Sequence, residues 1–429
     1  MHTRSEVRRH VLLYIIGCIF AASFFGMPVQ TYSAVPTEMP PKSSPDATGF
    51  SLKDGDRVLF YGDSITEQRL YTSYVEQFVL THYPDRRITF LNTGWGGDSV
   101  THNGCEMCAG VGGLARLERD VIAHKPTVVT LLFGMNDGNY VDFDPAIMKV
   151  FEDGLAEIIH QIKARTSARI YVMTPTVYDG TRHTPWSHTD RYNEVLDRYS
   201  QAARELANRE KLAVIDLHSV TTAALRDAKA IESSYTFLPD GVHPEPDGQL
   251  VIAAEILKAW GAPEKGLEIS VQPKLDSHGA SSFSINAPLQ WPTPLPSATL
   301  SRAAPQITDL GGIVIKLKGL PLTPFTLKVD GKELGVFNGK QLESGLDLNA
   351  LPGIDRTSTT KLLALIRQRA DLFFMRWRQL EVPFSGTYVH TTSTVTAMDQ
   401  LIDDLLERER KLAKPVAYQL SISPVSKVE

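Results

Sequence analysis

A chain of 429 residues, 42% hydrophobic and 22% charged, has the composition of an ordinary folded protein, with room for one large domain and a smaller one. Its formal net charge of −5 gives no electrostatic footprint for nucleic acid, which argues against a basic-patch function and against nucleic acid as a partner.

The N-terminus has the order of a targeting segment. Arg4, Arg8 and Arg9 precede an apolar run from Val11 to about Val29, and Ser33 and Ala34 are followed by Pro36, Pro40, Pro41 and Pro45. This pattern is that of a secretory signal, so residues 1–34 are expected to be a signal peptide cleaved near Ala34 and residues 35–52 a linker. Two alternatives stay open. Ile15-Ile-Gly-Cys18 resembles a lipobox, which would leave a lipidated Cys18, although Ile19-Phe20 after it stays apolar. The run is also long enough to remain as a membrane anchor. On each reading the functional body lies outside the cytoplasm, secreted or periplasmic, and a membrane enters only through an uncleaved or lipidated N-terminus. Cys105 and Cys108 stand in a Gly-rich loop as Cys-Glu-Met-Cys. A tight disulfide or a free pair is the plain reading in an exported protein. A redox motif would need a strand-to-helix junction, and a zinc site using His102 lacks a second cysteine pair.

From residue 53 to 262 strands and helices alternate. Apolar runs predict strands at Val58–Tyr61, Ile88–Leu91, Val128–Phe133, Ile170–Thr174 and Ala213–Leu217. Helical spacing marks Leu70, Tyr74, Val75, Phe78 and Val79, then Leu114, Leu117, Val121 and Ile122. A longer helix carries Ile147, Phe151, Leu155, Ile158 and Ile162, a further one Tyr192, Val195, Leu196, Tyr199 and Leu206, and Asp247–Trp260 closes the series. Such alternation predicts an α/β fold, a parallel sheet with helices on both faces. There is no internal repeat and no dinucleotide-type Gly-x-Gly-x-x-Gly.

The pattern changes at about Glu264. Residues 263–429 read as a smaller module: short β runs at Gly312–Leu317 and Phe325–Val329, a hairpin turn at Asp330-Gly331, helices over Lys361–Gln379 and Thr394–Leu412, and a last strand at Tyr418–Ser423. It carries no recognisable catalytic constellation. Trp291 and Trp377 suit sugar stacking, but core packing explains them better. The helices fit packing onto the sheet domain as well as onto another chain, so no oligomeric state follows.

The first strand runs into Gly62-Asp63-Ser64, which sets the Ser64 hydroxyl between a strand end and a helix start. In open α/β sheets ligands bind there. Ser64-Ile-Thr-Glu67 is equally a capping box, with Ser64 as the N-cap. Three further segments follow predicted elements: Asn92-Thr-Gly-Trp-Gly-Gly97-Asp98, Gly134-Met-Asn136-Asp137, and Asp240-Gly-Val-His243. Singly they are glycine turns, helix caps and chance pairs. Together, in this order, they are hard to obtain by accident.

The combination resembles the SGNH/GDSL hydrolase family, whose named Ser, Gly, Asn and His match Ser64, Gly97, Asn136 and His243. The resemblance spans about residues 55–260. It implies a flavodoxin-like three-layer α/β/α sandwich and ester hydrolysis by a serine nucleophile. The Gly-x-Ser-x-Gly elbow of the other large esterase fold is absent, since Thr66 stands at its second glycine.

The residue chemistry agrees. Serine needs a base to remove its proton, and His243 supplies an imidazole, with Asp240 on the same loop to fix its tautomer. The family pattern would supply an oxyanion hole from the backbone N–H groups of Ser64 and Gly97 and the Asn136 amide. Asp63 and Asp137 read as scaffold carboxylates bonding loop backbone. The mechanism requires no metal or organic cofactor. Val177–His188 is a long loop at the catalytic edge, so Tyr178 and Trp186, with Trp95, are the candidate substrate-binding residues. No apolar run near the site suits a long acyl chain. An exported serine esterase removing a short acyl group from a small-molecule or polysaccharide ester is therefore expected. The alternatives are a glycan O-acyltransferase with the same triad and a non-catalytic carbohydrate-binding scaffold.

Overall fold

Five near-continuous apolar runs become five strands: β1 (Arg57–Gly62), β2 (Thr89–Asn92), β3 (Val128–Leu132), β4 (Arg169–Met173) and β5 (Ala213–Ile215). The computed structural model describes residues 49–102, 110–182, 184, 187–384 and 391–425. The expected signal segment with Cys18, the linker up to residue 48, the Cys105/Cys108 pair and Trp186 lie outside these residues. The sheet is parallel throughout, in the order β2-β1-β3-β4-β5. The chain steps outward from β1 to β2, then returns to place β3 on the other side of β1. That reversal opens a crevice beyond the C-terminal ends of β1 and β3, where ligands bind in such sheets.

Among the described residues, seven α-helices accompany the sheet: α1 (Ser64–Glu67), α2 (Leu70–His82), α3 (Gly113–Asp120), α4 (Pro145–Arg165), α5 (Tyr192–Glu210), α6 (Leu217–Ile231) and α7 (Pro246–Ala259). All five residues of β3 are buried, alternate side chains included, so both faces of the sheet are covered. Phe151, Ile158, Ile159 and Ile162 bury one face of α4, each worth roughly 1.5–3 kcal/mol relative to exposure.

Two local features differ from the sequence expectation. The nucleophile segment does not run on into one helix: α1 stops at Glu67, and Arg69 adopts a left-handed φ of 59° before α2 begins. The last strand is shorter than expected, because Asp216 caps α6 by accepting the Ser219 N–H at 3.2 Å and starts a helix at Leu217.

The C-terminal part adds β6 (Leu267–Val271), β7 (Ser281–Ala287), α8 (Ala298–Ala303), α9 (Gln306–Leu310), β8 (Ile313–Leu317), β9 (Pro324–Val329), β10 (Lys332–Asn338), α10 (Gly339–Ser344) and β11 (Leu346–Asp347). It continues through α11 (Thr357–Phe374), a π-helical stretch Met375–Glu381, α12 (Val382–Phe384), α13 (Thr391–Leu412) and β12 (Val416–Pro424). The strands form two small sheets, β10-β9-β12-β7 and β11-β8-β6, over a core that includes Ile285, Ile313, Phe325, Leu327 and Leu420.

This part packs back onto the sheet domain. Trp291 is fully buried, donates Nε1–H to the Tyr74 carbonyl at 2.9 Å, and meets Phe78 edge-on. Trp377 is equally buried and donates to Asp120 Oδ1 at 2.9 Å. Arg369 of α11 is held between Glu76 of α2 and Glu409 of α13, all three buried. Residues 46–429 form one unit by their contacts.

Candidate active site

The turn after β1 presents Ser64 because another residue takes the cap. Asp63 Oδ1 accepts the Ile65 N–H at 2.9 Å, so Asp63, rather than Ser64, is the N-cap of α1. The Ser64 hydroxyl instead lies 2.8 Å from His243 Nε2. Burial pushes the Asp63 carboxyl up to about 8, partly opposed by the Ile65 N–H.

The loop before α7 carries the next two groups. His243 Nδ1 is 2.6 Å from Asp240 Oδ2, while Asp240 Oδ1 accepts the backbone N–H groups of Val242 and His243 at 2.9 and 2.8 Å. Burial raises the Asp240 carboxyl, but the bonds from His243 and Val242 outweigh it and hold the group below its usual value. It therefore faces the imidazole as a carboxylate. Gln249 of α7, missed in the sequence, ties this loop to the nucleophile segment. Its Nε2 donates to the Pro244 carbonyl at 3.1 Å and to Gln68 Oε1 at 2.7 Å, and its Oε1 accepts the Tyr71 N–H at 3.0 Å.

The loops after β2 and β3 meet beside Ser64. Gly97 has a left-handed φ of +69°, which a side chain would strain. Asn136 Nδ2 donates to the Asp98 carbonyl at 2.8 Å, and its Oδ1 accepts from Tyr140 at 2.9 Å, so the amide is fixed in orientation. Asp137 accepts the N–H groups of Val100 and Gly134, both at 2.8 Å, which joins the two loops; burial pushes its carboxyl up to about 7. Arg116 was also missed. It is 2% exposed, pairs with Asp98 at 2.6 Å, and donates to the carbonyls of Thr93 at 2.7 Å and Gly62 at 2.9 Å. A trace of it was legible: Arg116 and Asp120 fall on the face of α3 that Gly113 and Leu117 bury.

Ser64 and His243 line a cleft of about 410 Å³ together with Glu67, Gln68, Arg69 and Phe374. Phe374 comes from the end of α11. Arg69 stacks on its ring at 4.3 Å and pairs with Asp371 at 3.0 Å. Two of the expected substrate-binding residues sit elsewhere. Trp95 is 6% exposed and covered by Trp377, and Tyr178 is 3% exposed in a cluster with Tyr140 and Tyr192. Neither lines the cleft; both support loops behind it. Among the described residues, no group of three or more His, Cys, Asp or Glu side chains is placed to hold a metal ion. Chemically, an exposed hydroxyl bonded to an imidazole that is bonded to a carboxylate can deliver an alkoxide-like oxygen to a carbonyl carbon.

The comparisons with known proteins agree with this chemistry. Residues 60–251 match the GDSL-like lipase/acylhydrolase family model. An acetylxylan esterase of Geobacillus stearothermophilus is 25% identical over 232 residues, which is 49% of this chain and 96% of that protein. A crystal structure of an acetylxylan esterase from the same organism is 24% identical and covers 49% of this chain and 96% of its own, with a TM-score of 0.38. A solved gut microbial diltiazem-metabolizing enzyme, 20% identical, matches 88% of this chain and all of its own with a TM-score of 0.70, so its fold takes in the C-terminal part as well. The chain thus carries a GDSL-like lipase/acylhydrolase domain over residues 60–251 and is a hydrolase of ester bonds.

Proposed function

We propose that the protein is an exported serine esterase that removes a short acyl group, such as acetyl, from a carbohydrate ester through an acyl-enzyme on Ser64. The observation that carries this reading is the Ser64–His243–Asp240 chain of contacts, 2.8 and 2.6 Å, at the floor of an open cleft. His243 Nε2 takes the hydroxyl proton as Ser64 Oγ bonds to the ester carbonyl carbon, and Asp240 holds the imidazole by Nδ1–H. The oxyanion is met by the N–H groups of Ser64 and Gly97 and by the second hydrogen of Asn136 Nδ2, whose first goes to Asp98. Collapse breaks the ester C–O bond, the alcohol leaves with the proton from His243, and water repeats the sequence to release the acid.

The acyl and alcohol sides are supported by the cleft lining. Among the described residues Phe374 is the one apolar member of its lining, which favours a short acyl chain, while Gln68 and Arg69 offer partners for sugar hydroxyls. The acetylxylan esterase relative supports the same class. Export rests on the N-terminal pattern of Arg4, Arg8 and Arg9 before an apolar run.

The test is hydrolysis of p-nitrophenyl acetate, butyrate and octanoate, and then of acetylated xylan, by the full chain and by Ser64→Ala. Rates falling with acyl length, acetate released from the glycan, and no turnover in the variant are expected. Full turnover in Ser64→Ala overturns the acyl-enzyme. Product formed only when a glycan acceptor is added points to acyl transfer.

A further inference from the structure

We infer that Glu67 is a positioning residue that holds the oxyanion loop, and that Trp377 and Arg378 of the C-terminal segment grip the same loop at Trp95. This rests on the reading of Gly97 as an oxyanion donor. Glu67 stands where a capping-box glutamate would reach back to the helix N-terminus, but Asp63 has taken that role. The freed carboxylate lines the cleft beside Ser64 and lies against the backbone N–H of Gly96, the residue before Gly97, which favours its charged form. The approach is close: a Cβ on Gly96 would lie 2.6 Å from Glu67 Oε2, so a side chain there would push the carboxylate aside. The backbone of Glu67 is fastened as well. Its N–H donates to the Asp63 carbonyl at 2.9 Å, and its own carbonyl accepts from Arg69 Nη1 at 2.6 Å.

The Trp95 end of the loop meets the C-terminal part. The Trp95 ring meets Trp377 edge-on at 6.1 Å, and Trp377 is anchored to Asp120. The Arg378 guanidinium lies 3.3 Å from the Trp95 ring centroid. Its Nε is buried with no hydrogen-bond partner among the described residues, and the Glu67 charge is near it. Burial raises the Glu67 carboxyl, and the Arg378 and Arg69 cations oppose that rise. Trp95-Gly96-Gly97 is therefore held at Gly96 by a carboxylate from the nucleophile helix and at Trp95 by an aromatic-cation pair from near residue 378. Donors fixed before the reaction stabilise the oxyanion without reorganising, and that benefit is felt in the transition state rather than in substrate binding.

The experiment is steady-state hydrolysis of p-nitrophenyl acetate by the full chain and by Glu67→Ala, Glu67→Gln and Arg378→Ala. Glu67→Ala is expected to lower kcat by roughly ten- to a hundredfold with KM within about twofold, since a misplacement of about 1 Å costs on that order. Glu67→Gln, whose amide oxygen can still face the Gly96 N–H, recovers most of that loss. Arg378→Ala shows a smaller fall in kcat in the same direction. An unchanged kcat in Glu67→Ala, a change confined to KM, or equal losses in Glu67→Ala and Glu67→Gln overturns the inference. Should Glu67→Ala fail to fold, Arg378→Ala decides alone: kcat down at constant KM supports the clamp, and unchanged kcat overturns it. A wild-type chain inert toward every ester removes the esterase reading itself, an outcome distinct from all of these.

Discussion

Buried charge is used differently in the two parts of the molecule. In the sheet domain it serves loops at the strand ends: Arg116 gathers Asp98, Asp120 and the carbonyls of Gly62 and Thr93, and Asp63 and Asp137 accept loop N–H groups. In the C-terminal part the fully buried cation, Arg369, lies on the seam with the first part, beside Trp291 on Tyr74 and Gln77 Nε2 on the Thr359 carbonyl at 3.1 Å. Polar groups are costly to bury, and each part accepts that cost where geometry matters to it. The first part spends it on a site and the second on attachment.

Substitutions can break that division or sharpen it. The largest effect is expected at Asp240→Asn, which leaves the imidazole without its carboxylate. Here kcat should fall on the order of a thousandfold or more with the thermal midpoint nearly unchanged, and a fall in stability instead would place Asp240 with the scaffold. Arg369→Met should do the reverse. It strands Glu76 and Glu409 in the seam, which typically costs on the order of 3–5 kcal/mol, measured by denaturant unfolding, while kcat below the transition stays within a few-fold. A smaller loss, about 1–2 kcal/mol, is expected for Trp291→Phe, which leaves the Tyr74 carbonyl buried without its donor.

A further effect concerns pH. Burial raises the Asp63 carboxyl from 3.8 to about 8, so the folded protein keeps a proton that the unfolded chain releases, and this side chain lowers stability as pH rises through that window. Asp63→Asn keeps the acceptor for the Ile65 N–H and removes the titration. Its thermal midpoint relative to wild type should rise from about pH 5 to about pH 8, and a constant difference would mean that Asp63 does not titrate there.

Strand positions were legible because β1, β3 and β4 are buried on both faces and read as unbroken apolar runs. The segments at Gly62, Asn92 and Gly134 were legible because glycine, Asn and Asp cluster directly after strand runs. What escaped depends on distant partners. Ser64 and Asp63 are both good caps, and only His243, brought by the loop before α7, shows which of them is left for chemistry. Trp95 looked like a pocket residue because nothing nearby in sequence says that Trp377 covers it. The break at Arg69 has no sequence signal, since a left-handed arginine is chosen by its bonds to Glu67 and Asp371 rather than by propensity.

The four-stranded sheet has an implication for biosynthesis. Its strand β12, made after both β9 and β7, pairs with each of them and fills the gap between them. Until the ribosome reaches that segment, two strand edges stand open, and unfinished or C-terminally clipped chains would expose them to one another. Truncations that remove β12 should therefore yield aggregates.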